Sequence, residues 1–179
     1  MKIQKNTCSG IDCTINRLQD EIYYSLTKVW SVDWNCYPRI YKNKRKDERG
    51  NEYFVPEYID GNYEYTTDTL FDDKVGIVSF FLKDDKTTIN ENQQETDVSL
   101  IFSAKINDVY QTGQREDELF KMDILQALKE ASSAGFKLNS IEDGLDNVYK
   151  EFRKEDLTWS NLSNRCLLRF NFTINYNNC

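Results

Sequence analysis

The chain contains no histidine, and that absence removes histidine-activated nucleophiles, histidine general bases and histidine-bearing metal sites together. Its seven glycines form neither the GxxxxGK[ST] loop nor GxGxxG, so no phosphate-cradling motif is present. The five cysteines, Cys8, Cys13, Cys36, Cys166 and Cys179, are odd in number and contain no CxxC pair. They suggest neither a zinc site nor a complete disulfide framework, and scattered reduced thiols are expected. The first residues, MKIQKNTCSG, lack an apolar signal core, and no run approaches the roughly 18 apolar residues of a membrane span. Synthesis in a cytoplasm and no membrane association are therefore expected.

Carboxylates are the chemistry that remains. Asp72-Asp73, Asp84-Asp85 and Glu142-Asp143 are adjacent acids, and neighbours on an extended chain point to opposite sides, so such pairs do not make a glycosidase dyad. No glycine-spaced calcium loop accompanies them. They are expected to be solvated acids, and the chain is expected to be no enzyme, with no catalytic, cofactor-binding or metal-binding residues. The formal net charge of −7 argues against a stand-alone nucleic-acid binder, which needs a basic face to displace counterions. A passive conduit is different, because mild repulsion lets DNA slide.

What is present is a patterned single domain of 179 residues, large enough to bury a core without staples. Within residues 114–134, Phe120, Ile124, Ala127, Leu128 and Ala131 repeat with helical spacing, acids fill the first turn, and Gly135 follows the last. Upstream, Val98, Leu100, Phe102, Ala104 and Ile106 alternate with Ser99, Ile101, Ser103, Lys105 and Asn107. Near the C-terminus, Leu168, Phe170, Phe172, Ile174 and Tyr176 alternate with Arg169, Asn171, Thr173 and Asn175. Period two on both segments predicts an antiparallel or mixed sheet with one side against a core. The expected fold class is α+β, with two amphipathic helices packed on one face of the sheet and a projecting hairpin.

The other helix follows a Ser9/Asp12 pair that resembles a capping box and runs through Ile11, Ile15, Leu18, Ile22 and Leu26 to Trp30. Tyr23 and Tyr24 lie beside its stripe and either cover the core edge or face a neighbouring subunit. Short tyrosine-rich pieces at Ile40-Tyr41, residues 53–55, Tyr58-Ile59, Tyr63 and Tyr65 predict strands. Residues 42–52, KNKRKDERGNE, predict a long hairpin, the one locally basic spot. Its Lys44, Arg45 and Lys46 form either a solvated tip or a contact with DNA or an acidic partner. Residues 75–83 predict a hydrophobic strand, and residues 84–97, which hold Asn90, Asn92 and Gln93, a long mobile loop that is decoration or a docking arm. A short helix near 144–152, a loop and a final strand complete the order. The outward residues Arg169, Asn171, Thr173 and Asn175 offer hydrogen-bonding groups to water, to another subunit or to a channel. Glycosylation-type triplets at Asn161 and Asn171 are expected by chance in an Asn-rich chain.

This order of elements resembles that of tail-terminator and tail-completion proteins of tailed bacteriophages, in layout and not in a motif. The resemblance is carried by a helix at residues 14–30, a mixed sheet with a projecting hairpin, a helix at 116–133 laid on it, and a final strand at 167–176. It spans most of residues 1–179 as one domain, with excursions near 42–52 and 84–97. The Asn-, Lys-, Tyr- and Ile-rich, histidine-free composition also resembles proteins of the crAss-like phages of gut Bacteroidetes. The resemblance implies a virion structural protein, a homo-oligomeric ring at the head-tail connector or tail. Its implied neighbours are portal, connector or tail proteins, with DNA passing through and no tight grip, and its place of synthesis is the bacterial host cytoplasm. A small acidic cytosolic adaptor, of the inhibitor or immunity kind, is the other class consistent with this composition.

Overall fold

The computed structural model describes residues 1–3, 8–59, 65–66, 75–90, 93–131, 135–153 and 164–176. In chain order the elements are α1 (Ile11–Trp30), β1 (Asn35–Lys46), β2 (Glu52–Ile59), β3 (Tyr65–Thr66), β4 (Ile77–Asn90), β5 (Gln93–Lys105), α2 (Ile106–Tyr110), α3 (Asp117–Glu130), β6 (Phe136–Asp143), α4 (Leu145–Val148) and β7 (Arg165–Tyr176). The strands form one mixed sheet in the order β3-β2-β1-β4-β5-β7-β6, in which β3 is a two-residue edge piece. All ladders are antiparallel except β1 with β4, which is parallel. The fold is therefore α+β.

The alternation in β5 and β7 does what period two requires. Val98, Leu100, Phe102 and Ala104 join Leu168, Phe170, Phe172 and Ile174 in the main core, where α1 contributes Ile15, Leu18, Ile22 and Leu26 and α3 contributes Phe120, Ile124, Ala127 and Leu128. Aromatic rings knit these layers. Trp30 stacks on Phe120 with centroids 4.8 Å apart, Trp34 stacks on Phe102 at 5.9 Å, and Phe102 meets Phe120 and Phe170 edge to face at 5.9 and 6.2 Å. Such pairs contribute about 0.5–1.5 kcal/mol beyond area burial. Two hydrogen bonds fix α1 against α3: the Trp30 indole N–H donates to Asp123 Oδ2 at 2.9 Å, and Ser25 Oγ donates to Glu130 Oε2 at 2.7 Å.

The opposite face is not simply wet. Ile101 and Leu167 meet Val78, Phe80 and Leu82 there, and Val148, Tyr149 and Phe152 close over them as a second, smaller core. β5 is consequently buried on both sides from Val98 to Ala104.

Several expectations need correction. Residues 84–97 are not a long loop: β4 and β5 continue as an antiparallel ladder through Thr87↔Thr96, Thr88↔Glu95, Ile89↔Gln94 and Asn90↔Gln93, after an irregular step between Lys83 and Thr87. β-branched Thr87, Thr88, Ile89 and Thr96 suit a strand despite the polar composition around them. The capping box does not form. α1 starts at Gly10, at φ 54, with no side-chain cap, and Asp12 instead contacts Arg39, Oδ1 to Nε at 2.7 Å and Oδ2 from Nη2 at 3.1 Å. Ile106 opens the short α2 and does not extend the strand, and β6 is a strand that no alternation announced. Tyr63, Asn92, Asn161, Cys179, the Asp72-Asp73 pair and residues 157–159 lie outside the described residues.

Phe170 is fully buried in the main core, edge to face with Phe102 at 6.2 Å. Phe170→Ala is expected to lower stability by about 3–5 kcal/mol in a denaturant titration, because rigid neighbours do not collapse into the void.

Candidate functional site

On the face away from α1 and α3, three strands build a polar surface whose side chains come in rows. One row is Ser99, Asn171 and Ser140: Ser99 Oγ donates to Asn171 Oδ1 at 2.7 Å, and Asn171 Nδ2 donates to Ser140 Oγ at 3.0 Å. The next is Asp97, Thr173 and Asn139: Thr173 Oγ1 donates to Asp97 Oδ1 at 2.7 Å and accepts from Asn139 Nδ2 at 2.9 Å. Asn175 lies exposed opposite Glu95. The first row follows from the ladder itself, since directly opposed residues of β5, β7 and β6 share a face, whereas Asn139 reaches Thr173 from the irregular step between Leu138 and Ser140.

Arg169 belongs to the same face but not to its surface. Only 5% exposed, it directs two nitrogens at Glu151, Nη1 to Oε2 at 2.5 Å and Nη2 to Oε1 at 2.6 Å. Its Nε donates to Ser99 Oγ at 3.0 Å and Asn171 Oδ1 at 2.9 Å, and Nη1 also reaches the Val148 carbonyl at 3.3 Å. Lys150 adds a bond to Glu142 at 3.0 Å. Together these contacts pin residues 145–153 over the second core. A cleft of about 210 Å³ opens beside them, lined by Lys42, Lys83, Asp84, Asp97, Lys150 and Asn139 among others. Charges of both signs line it.

The hairpin of β1 and β2 turns at residues 47–51, where Asp47 Oδ1 accepts from the Arg49 and Asn51 backbone N–H groups at 2.9 and 2.8 Å. The Asn51 side-chain amide, with these backbone bonds, holds the Asp47 carboxyl below its ordinary range. Four of the hairpin's five cations, all but Arg49 at the exposed tip, lie against the chain's own carboxylates. Arg45 meets Glu57 at 2.5 Å, Lys44 pairs with Glu52, Lys46 lies 3.8 Å from Glu52, and Lys42 meets Asp85 at 2.9 Å. A run of Lys and Arg in the sequence thus becomes a nearly neutral ribbon. The acids that neutralise it stand on the facing strands.

Of the remaining candidate residues, Tyr23 stacks on Trp34 with centroids 5.0 Å apart and covers the core edge. Tyr24 is 65% exposed, with the Lys28 ammonium 3.7 Å above its ring, and the Lys28 bond lowers its phenol pKa. Asn90 and Gln93 oppose each other at the hairpin tip. The structure brings Arg169, Asn171 and Thr173 together with Ser99, Asp97, Asn139 and Glu151, but keeps them apart from Tyr23 and Tyr24, which lie on α1. Asn139, Ser140 and Glu151 are the contributors that sequence reasoning missed, and the text around residue 139, GFKLNSIED, carries no signal that marks them.

Cys8, Cys36 and Cys166 are free thiols, and among the described residues no group of carboxylates and thiols is placed to hold a metal ion. No helix among them is long and apolar enough to cross a membrane. Burial pushes the Cys36 and Cys166 thiols up to about 12.

Two outcomes are expected. Glu151→Ala leaves a buried guanidinium with only the Glu142 carboxylate, at 4.0 Å, and should cost about 3 kcal/mol, most of which returns in the Arg169→Met, Glu151→Leu double variant, both read by chemical denaturation. Native-state alkylation followed by mass spectrometry should label exposed Cys8 and spare Cys36 and Cys166. Because folding raises these two pKa values, their contribution to stability is intact below the free-thiol range and is lost as pH climbs from there toward about 12.

Compared with protein-family models and with curated proteins, the chain finds no match in either.

Proposed function

We propose that this chain is a structural protein of a tailed-phage particle, a subunit of a homo-oligomeric ring at the head-tail connector or in the tail, surrounding the DNA path. The layout supports this reading: two amphipathic helices on one face of a mixed sheet, and a projecting hairpin suited to reach a neighbouring portal, connector or tail protein. The observation that carries the DNA-facing part is the ion pairing of that hairpin. Lys42, Lys44, Arg45 and Lys46 each lie within 4.0 Å of a carboxylate of the same chain. With a net charge of −7 around it, the hairpin offers phosphate Arg49 at its tip and little else that is not already neutralised. DNA passes such a surface without being held. The polar rows at Asn171 and Thr173 then serve contacts between proteins.

The purified protein is expected to form closed rings under negative-stain electron microscopy, alone or on particle components, where an adaptor would stay a monomer or dimer. Duplex DNA should show none of the salt-sensitive affinity of non-specific binders, Kd ~10⁻⁴–10⁻⁶ M, and a Lys44→Ala, Arg45→Ala, Lys46→Ala variant should behave like the parent. Micromolar binding that disappears in the triple variant would replace the conduit with a DNA-holding ring.

A further inference from the structure

The sheet changes width along its length. β1 stays beside β4 only as far as Ile40↔Leu82, after which β1 pairs with β2 alone and β4 with β5 alone. Beyond that fork the sheet is a four-stranded antiparallel ribbon, β4-β5-β7-β6. Among the described residues, both its outer edges lack a strand partner: β4 over residues 83–90, and β6. Four alternating strands leave the outer two running in opposite directions. Copies added edge to edge by rotation therefore bring β6 of one against β4 of the next as antiparallel neighbours, the direction of pairing that the rest of the ribbon already uses.

The registers place matching groups at the same height. Lys137 lies opposite Thr173, Thr173 opposite Asp97, and Asp97 faces the irregular step in β4 that holds Asp84 and Asp85. Lys137, Asp84 and Asp85 are all exposed. One pair further on, Phe136 lies opposite Ile174, Ile174 opposite Thr96, and Thr96 opposite Thr87. Ile89, two residues from Thr87, shares its face and is 72% exposed, the most exposed large apolar residue described. Phe136 is half-buried on the rim of the main core and 5.4 Å from Phe172. In a joint without stagger, Lys137 comes beside Asp84 of the next copy, whose neighbour Asp85 is already held by Lys42 of its own chain, and the Phe136 ring comes diagonal to its Ile89. Diagonal neighbours are about 7–8 Å apart, within reach of an aromatic ring.

We propose that copies of this chain join head to tail through β6 of one and the 83–90 edge of β4 of the next, continuing the ribbon from subunit to subunit. The inference rests on the ring reading and names its joint. Edge charges also serve to block strand pairing, and the two roles predict opposite results. If Lys137 and Asp84 are the joint, removing them weakens association; if they are guards, removing them strengthens it.

The test is sedimentation velocity on the full chain across a concentration series, for the parent, Lys137→Ala, Lys137→Glu, Asp84→Lys, the Lys137→Glu/Asp84→Lys pair, and Ile89→Asp. Circular dichroism melts serve as the folding control. Lys137→Glu and Asp84→Lys are each expected to weaken assembly by about tenfold or more, and the pair to recover most of it. Ile89→Asp should weaken assembly with no loss of melting temperature. Assembly that is unchanged in Lys137→Glu and Ile89→Asp, or stronger in Lys137→Ala, would overturn the edge joint and leave the ring standing. A parent that stays monomeric throughout the series and also forms no ring when particle components are added would overturn both.

Discussion

β5 is covered on both faces, and most of the architecture follows from that single constraint. A strand in this position cannot send its alternate side chains to water. Val98, Leu100, Phe102 and Ala104 meet this by joining the aromatic core under α1 and α3. Ser99 and Ser103, on the other side, need internal partners, since a buried polar group left unpaired costs about 1–3 kcal/mol. Arg169 and Arg165 of β7 supply them, each guanidinium donating to the serine beside it at 3.0 Å. The arginines in turn need acceptors, and Glu151 and the backbone carbonyls of Val148 and Val75 provide these. The segment covering the second core is thereby tied to the strand at the centre of the first.

Electrostatics follow a similar economy at the fork. Where β1 and β4 separate, Lys42 is largely covered and holds Asp85 across the opening, while Glu57, 1% exposed, collects Asn43 at 2.6 Å and Arg45 at 2.5 Å. Ion pairs at exposed positions contribute little, typically about 0–1 kcal/mol. The buried carboxylate of Glu57 is another matter, because desolvation demands partners. Arg45 is therefore better understood as a partner required by a buried acid than as part of a surface kept for phosphate.

Local patterns were legible and long-range ones were not. The stripe Phe120, Ile124, Leu128 and the alternation of β5 and β7 mark their elements because burial on one side imposes a period that a short window contains. β6 escaped because the step between Leu138 and Ser140 breaks the period of Phe136, Leu138 and Ile141. Residues 84–97 resembled a loop because polarity outweighs the β-branching of Thr87, Thr88, Ile89 and Thr96, and only pairing across the turn makes them a ribbon. Arg169 stood at an outward position in the alternation, correctly, but alternation says nothing about what covers that face. Its partner lies 18 residues away on a turn with no pattern of its own. Asp12 shows the same limit from the other side, since Ser9-x-x-Asp12 satisfies a local rule that Arg39, 27 residues on, overrides.

The two cores also decide where the molecule is free to meet others. Helices seal one face of the ribbon, and residues 145–153 seal half of the other, so both faces of β5 are closed over its central stretch. What stays open is lateral or distal: strand edges, the polar rows past Asn171, and the tips of two hairpins. A sheet strand buried within its own subunit cannot take a partner by stacking, but an edge strand still carries backbone donors and acceptors along its length. In this fold, stabilising the centre on both sides is what leaves the edges as the surfaces open to a partner.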